Sequence, residues 1–302
     1  MIIKKRDSRQ FEIDELLSLL SLPLPNDKKF LIERELRFMK SGDRGENDSS
    51  YYIDYYYTSS KNWAVIHDFR LEHDKRVAQI DHLLINRFLD IYVLESKNFS
   101  YGLKITDDGQ FLIINNNDYI AIESPLEQNK RHVALLEKFL EEKDIVPKRL
   151  GLTISTSFKS YVLISPKSRL IRPSSTRFNT TSVIKADTLK TTIENAVDNM
   201  SPLNVLISAS KMCSSETLMD IAKKIVTFHK PFKIDYIKRF GIKKPLPTQE
   251  QPSQIGMKQV KRFYCSKCKK TVTQKVACFC WDNKKRFGGK AYCFDCQKDF
   301  LV

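Results

Sequence analysis

Apolar positions in the first forty residues recur at helical spacing. The stretches "FEIDELLSLLSL" (11–22) and "KKFLIERELRFM" (28–39) predict two helices, with the prolines of "PLPND" as the break between them. "SGDRGEN" (41–47) carries two glycines and no apolar residue, so it reads as a loop, and a further helix is expected from about Glu46 to Tyr57. From Trp63 the apolar pattern becomes strand-like. "WAVIHDFRL", "VAQIDHLLIN", "DIYVLESKN", "GLKITDDGQFLIINNND" and "YIAIES" read as a strand series, and Asp108-Gly109 is a hairpin turn signal. "SPLEQNKRHVALLEKFLEEK" (124–143) returns to helical spacing. Ser124 suits the N-cap, Pro125 the first helical position, and Glu127 completes an S-x-x-E capping box. Strands follow at Tyr161–Ser165 and Val183–Ala186, and a helix within 215–230. "KKPLPTQEQPSQIG" (243–256) has no apolar period and reads as a linker.

The pair "VAQIDHLLIN" and "DIYVLESKN" combines strand apolarity with three charges that do not suit a buried sheet: Asp81, Glu95 and Lys97. Side chains alternate along a strand, so Glu95 and Lys97 share a face with Ile91 and Val93, and Asp81 shares one with Leu83 and Ile85. If the turn is centred on Phe88, paired residues sum to 176 and Asp81 faces Glu95. Such pairs have Cβ atoms ~4.5–5.5 Å apart. Either one carboxylate holds a proton or a cation lies between them, and Mg²⁺ is a hard ion suited to a carboxylate pair. Lys97 then points to the same place and suits polarised water or phosphate charge. The spacing also fits an edge hairpin with a solvated Asp–Lys–Glu face, because D…ExK is a loose pattern.

Four stretches narrow the choice. "RGENDSS" (44–50), "AQIDHLLI" (78–85), "YVLESKN" (92–98) and "SPLEQNKRH" (124–132) occur in this order. They resemble the nuclease-related domain family, NERD, in which a G-E pair, a Q-I-D-H strand, an E-x-K-N strand and a P-x-x-Q helix recur. The resemblance spans roughly a third of the chain, from Gly42 to Leu140. It implies a restriction-endonuclease-like PD-(D/E)xK fold, with Asp81 and Glu95 as metal ligands and Lys97 as the catalytic lysine. Glu46 and Gln128 would be supporting site residues from flanking helices. Ser96 departs from the pattern, since many relatives carry Thr there, but its side chain is expected on the opposite face. From the residues alone, Glu46 also suits a helix N-terminus as a favourable charge. Gln128 has no capping task, and its helical neighbours His132, Leu135 and Phe139 put it toward the core. His82 reads as a packed, hydrogen-bonded histidine, and Gln79, on the Asp81 face, is placed to touch substrate.

Charge and cysteines add a second component. The net charge of +15 is concentrated at the end: residues 231–302 hold 17 Lys/Arg against 5 Asp/Glu, which leaves only +3 for residues 1–230. A basic block on a near-neutral body points to a polyanion, most often nucleic acid. Six of the seven cysteines fall between Cys265 and Cys296. Cys265/Cys268 and Cys293/Cys296 form two C-x2-C knuckles separated by 24 residues, a structural Zn²⁺ pattern. The stretch between them is similar to zinc ribbons attached to some NERD-type proteins. Those also carry a cysteine where Cys280 stands, which makes Cys280 a rival ligand; Cys278 and Cys213 read as structural thiols. Lys267, Lys284, Lys285, Arg286 and Lys290 lie among Phe279, Trp281, Phe287 and Tyr292, which suits phosphates and bases or a small aromatic core.

The expected architecture is therefore α/β, a restriction-endonuclease-like mixed sheet flanked by helices, plus a zinc ribbon. The segments are 1–41 (helical), 42–235 (nuclease-like), 236–258 (linker) and 259–302 (zinc-binding). The expected function is Mg²⁺- or Mn²⁺-dependent hydrolysis of DNA phosphodiesters, with the basic ribbon assisting nucleic-acid binding. Two other classes share the features: a nuclease-like domain that binds DNA or RNA without cutting, and a protein-interaction adaptor. No apolar run approaches the ~20 residues of a membrane span, and "MIIKKRDSRQ" lacks the apolar core of a secretory signal, so a cytoplasmic chain without a membrane partner is expected.

Overall fold

A computed structural model describes residues 1–115, 118–149, 151–242 and 263–300. The chain divides into two compact units, Met1–Ile242 and Lys243–Val302. In the first unit the elements run β1 (Ile2–Lys4), α1 (Gln10–Leu20), α2 (Asn26–Tyr57), β2 (Trp63–His73), β3 (Arg76–Asn86), β4 (Asp90–Lys97), β5 (Leu103–Ile105), β6 (Phe111–Asn115), β7 (Asp118–Ile122) and α3 (Pro125–Glu142). They continue through β8 (Lys148–Arg149), β9 (Leu152–Thr153), β10 (Ser157–Ile164), β11 (Leu170–Ile171), β12 (Val183–Lys185), α4 (Leu189–Asp198), α5 (Pro202–Lys211), α6 (Ser215–Val226) and α7 (Tyr236–Arg239).

Six strands form a mixed sheet in the order β1-β2-β3-β4-β10-β12. The β2–β3 and β3–β4 pairs are antiparallel, while β1–β2, β4–β10 and β10–β12 are parallel. On one face Leu83, Ile85, Ile91 and Val93 pack against Leu136 and Phe139 of α3 and Leu218 and Ile225 of α6. On the other, Val65, Leu84, Tyr92 and Leu94 pack against Ile53 and Tyr57 of α2. A smaller sheet, β11-β5-β6-β7, closes on β10 and β12 through Leu103, Phe111 and Val162. The Asp108-Gly109 turn is present, with Gly109 at φ 85°. Ser124 caps α3 by accepting from the Glu127 N–H at 3.3 Å. Among the described residues no helix is long and apolar enough to cross a membrane.

The stretch expected as a loop at 41–47 is instead the middle of the 32-residue helix α2. Each helical glycine costs about 1 kcal/mol relative to alanine. Against this, α2 buries Ile32 and Leu36 with α1 and α7 at one end, and Ile53 and Tyr57 under the sheet at the other. Full burial of each such side chain contributes about 1.5–3 kcal/mol, so the two anchored ends outweigh two glycines. Glu46 therefore sits within a helix, and a helix N-terminus does not explain it. The sequence pattern also does not signal β1, α4 or α5. Helix α5 buries no residue, so its apolar positions have no core period to reveal them. Of the segment 236–258 expected as a linker, residues 236–239 instead form α7, held because Tyr236 and Phe240 bury against α1 and α2, and 243–258 lie outside the described residues.

The second unit has a two-stranded hairpin, β13 (Phe263–Tyr264) and β14 (Thr271–Val272), then α8 (Gln274–Asp282), α9 (Lys284–Phe287) and α10 (Phe294–Gln297). Its core is small: Cys265, Val272, Ala277 and Ala291, with Phe263, Tyr292, Cys293 and Cys296 packed around them, and Cys280 and Phe287 buried as well.

Candidate active site and candidate metal centre

The β3–β4 hairpin turns through Arg87, Phe88 and Leu89, with Leu89 in the left-handed region at φ 56°. Its pairs run from Ile85↔Ile91 to His82↔Leu94, all summing to 176. One step further the ladder stops at Asp81. There the Ser96 N–H donates to Asp81 Oδ2 at 2.7 Å. The β2–β3 ladder is interrupted at the same level: His67 pairs with His82 and Phe69 with Ile80, while Asp68 between them adopts φ 49°. Ile80 and Leu83 then enter the same core, which strict alternation forbids, so the hairpin kinks at Asp81.

Charged groups from four elements meet at this kink. Glu95 is 3% exposed, and its Oε1 accepts from Lys97 Nζ at 2.7 Å. Lys97 Nζ also donates to Gln128 Oε1, at 3.3 Å, from the first turn of α3. One helical turn on, His132 Nδ1 lies 3.8 Å from Glu95 Oε2, and both atoms are buried with no hydrogen-bond partner among the described residues. Burial pushes the Asp81 carboxyl well above its usual range, and the charges of Glu95 and Glu46 push the same way; the Ser96 N–H and Lys97 oppose them. Glu46 of α2 is likewise raised, by burial and then by Asp68, against the pull of Arg9 and Arg6.

Gly45 and Asn98 set how closely α2 approaches β4. A Cβ on Gly45 would stand 2.5 Å from Asn98 Cβ, and Asn98 Nδ2 donates to the Ser41 carbonyl at 3.2 Å. The glycine of the G-E pair and the asparagine of the E-x-K-N strand are thus one packing contact, which brings Glu46 to the sheet. Gln79 lies beyond the kink, opposite Arg70, and forms no hydrogen bond to the cluster among the described residues. His82 is fully buried on the opposite face and hydrogen-bonded, as expected of a packed histidine.

Three contributors escaped the sequence reading. Arg6 follows β1 and donates to Glu46 Oε2 at 2.7 Å and to Asp43 Oδ1 at 3.0 Å. Asp68 is 2% exposed, accepts the Asp7 N–H at 2.8 Å and lies 3.9 Å from Arg6 Nε. His132 approaches Glu95. The only signal for Asp68 was an acid inside an apolar strand; Arg6 had none, because its role depends on β1 joining the sheet.

In the second unit the sulfurs of Cys265, Cys268, Cys293 and Cys296 all lie within 4.8 Å of one another. Burial raises the Cys265 thiol, but N–H groups of Cys268, Cys293 and Lys267 outweigh it and lower it to about 6. Burial and the neighbouring thiols push Cys296 up to about 12. Four thiols at this spacing fit tetrahedral Zn²⁺ ligation. Cys280 lies outside the group: its sulfur accepts from the Tyr292 N–H at 3.4 Å and Gln297 Nε2 at 3.3 Å.

A cavity of about 680 Å³ lies elsewhere, at the turn end of the β3–β4 hairpin beside Trp63, Arg87 and Phe88. The buried ionisable groups converge at the carboxylate cluster and not at this cavity. Residues 41–165 match the family model described as the nuclease-related domain. No curated protein and no solved structure matches the chain.

Proposed function

We propose that this nuclease-related domain is a divalent-metal-dependent nuclease acting on DNA phosphodiesters. The observation that carries the reading is the buried Glu95 carboxylate. One oxygen is taken by Lys97, the other is unpartnered, and the Asp81 carboxylate stands nearby with a raised pKa. An all-oxygen pair with an orphaned acceptor fits Mg²⁺ or Mn²⁺. Asp81 and Glu95 are the residues that would hold it. Such an ion, when bound, lowers the pKa of water and neutralises charge on phosphoryl oxygens.

The remaining roles belong to the chain. Lys97 is held between Glu95 Oε1 and Gln128 Oε1, which aims its ammonium and leaves capacity for one more acceptor, a phosphate oxygen. Gln128 thereby positions Lys97. Glu46, held by Arg6, adds a third carboxylate at the edge of the site and supports the cation position or orients water. The second unit, with its four-cysteine Zn²⁺ site and exposed lysines, supplies phosphate affinity independent of sequence.

The test is cleavage of plasmid, linear single-stranded DNA and RNA by the purified full chain with Mg²⁺, Mn²⁺ or chelator. Metal-dependent DNA cleavage is expected, with Asp81→Ala and Lys97→Ala abolishing it while DNA binding stays within about three-fold. Full activity in Asp81→Ala would sink the assignment. Binding without cleavage under every metal condition would establish a non-cleaving nucleic-acid binder, and absence of nucleic-acid binding would favour a protein adaptor.

A further inference from the structure

Behind the carboxylate cluster, on the α2 face of the sheet, runs a chain of hydrogen bonds that the chemistry above does not use. Asp54 Oδ1 of α2 is 3.0 Å from His67 Nε2. His67 Nδ1 is 2.7 Å from His82 Nδ1, and His82 Nε2 is 3.0 Å from Ser96 Oγ. The Ser96 N–H in turn donates to Asp81 Oδ2. Both imidazoles are buried, at 1% and 0% exposure, whereas the Asp54 side chain is 47% exposed. Burying two imidazoles in an apolar sheet face is costly unless every nitrogen is satisfied.

With both rings neutral, proton bookkeeping leaves one arrangement. A contact between two Nδ1 atoms needs one hydrogen and one lone pair. If His67 supplied the hydrogen, the neutral ring would turn the Nε2 lone pair toward the Asp54 carboxylate, lone pair against lone pair. If His82 supplies it, all contacts are satisfied with both rings neutral. His67 Nε2–H then donates to Asp54, His82 Nδ1–H donates to His67, and the Ser96 hydroxyl donates to His82 Nε2.

The chain ends where the sheet stops holding Asp81. The β3–β4 ladder ends one residue short of it, and the β2–β3 ladder breaks opposite it at Asp68. The direction of the Asp81 carboxylate therefore rests on the Ser96 N–H, and Ser96 is tethered from the opposite face by His82. We propose that Asp54, His67 and His82 are positioning residues that orient Ser96, and through it Asp81, so that Asp81 Oδ1 is presented toward Glu95. This rests on the reading of Asp81 and Glu95 as cation ligands, but its hydrogen-bond content stands apart from that reading. Groups of this kind, bonded to the ligand and not to the metal, typically change metal affinity by about 10–100-fold when removed.

The experiment uses the full chain, ¹⁵N-labelled, without metal at neutral pH. Long-range ¹H–¹⁵N spectra are expected to show His67 as the Nε2–H tautomer and His82 as the Nδ1–H tautomer; the reverse assignment, or a charged ring, overturns the proposal. Asp54→Ala, at a half-exposed position, is expected to mix the tautomers, move the Ser96 amide proton upfield and weaken Mn²⁺ binding by about 10-fold. Mn²⁺ affinity is measured against Asp81→Ala as background. Asp54→Asn keeps an acceptor for His67 and is expected to restore all three signals. Unchanged tautomers and an unmoved Ser96 amide in Asp54→Ala would overturn the proposal whether or not Mn²⁺ binds. Wild type binding no Mn²⁺ above background would instead remove the cation reading of Asp81 and Glu95, with the amide and tautomer signals still deciding the positioning chain.

Discussion

Lys97 and Glu95 show how a residue of the proposed site can be a structural liability. Glu95 is buried and, among the described residues, Lys97 Nζ is the one cation hydrogen-bonded to it, so removing the lysine leaves a buried carboxylate unpaired. Breaking a buried pair from one side typically costs about 3–5 kcal/mol. Because Lys97 is 27% exposed, we expect Lys97→Met to cost about 2–3 kcal/mol in urea denaturation, and adding Glu95→Gln to recover most of it. Asp81 should behave in the opposite way. Its pKa is raised in the folded state, so its charge opposes folding at neutral pH, and that penalty fades as pH falls through the folded pKa toward the unfolded value. Metal-free Asp81→Asn should therefore be more stable than wild type at about pH 7.5. The advantage should shrink in acid, toward the ordinary aspartate range near about pH 4. Urea curves at the two pH values check the sign; an advantage that grows in acid would contradict it.

Among elements, α2 matters most to the site. It carries Glu46 to the sheet and anchors both ends in separate cores. Its two glycines differ. Gly42 has nothing within 4 Å of an added Cβ, whereas Gly45 meets Asn98 Cβ at 2.5 Å and its backbone N at 3.4 Å. Gly42→Ala should therefore stabilise by up to about 1 kcal/mol through helix propensity. Gly45→Ala should destabilise by about 1–2 kcal/mol, since overpacking costs exceed that gain. Thermal melts of the two variants compare one helix at two positions, and equal shifts would remove the close-approach argument. The continuity of α2 was not legible because helix propensity and polarity are local, while the burial that sustains it comes from other elements, α1 and α7 at one end and strands β2, β3 and β4 at the other.

For the whole molecule, the two units should lose structure separately. Among the described residues of the second unit six apolar side chains are buried and Phe287 is the one large member, too few to hold 38 described residues without the thiol cluster. Chelation of Zn²⁺ should unfold residues 263–300 and leave the spectrum of residues 1–242 intact, as two-dimensional amide spectra would show. Cys280→Ser should keep one Zn²⁺ per chain by metal analysis, because its sulfur contacts Tyr292 and Gln297 and not the cluster. A drop in Zn²⁺ content would make it a ligand.

The local chemistry was written in the sequence. Strand alternation and an odd turn lead to the register that sums to 176, and the knuckle spacing leads to the four-thiol cluster, because both follow from geometry within a few residues or one repeated motif. Ser124, Pro125 and Glu127 start α3 for the same reason. Tertiary structure alone decided what surrounds those residues. It made α2 one helix, since only distant burial offsets its glycines. It brought Arg6 and Asp68 to Glu46, since only the pairing of β1 with β2 puts residue 6 beside residue 46. It also kinked the hairpin at Asp81, which lies where two ladders end together. A sequence specifies the groups available for chemistry; the direction in which a carboxylate points depends on contacts that no spacing along the chain encodes.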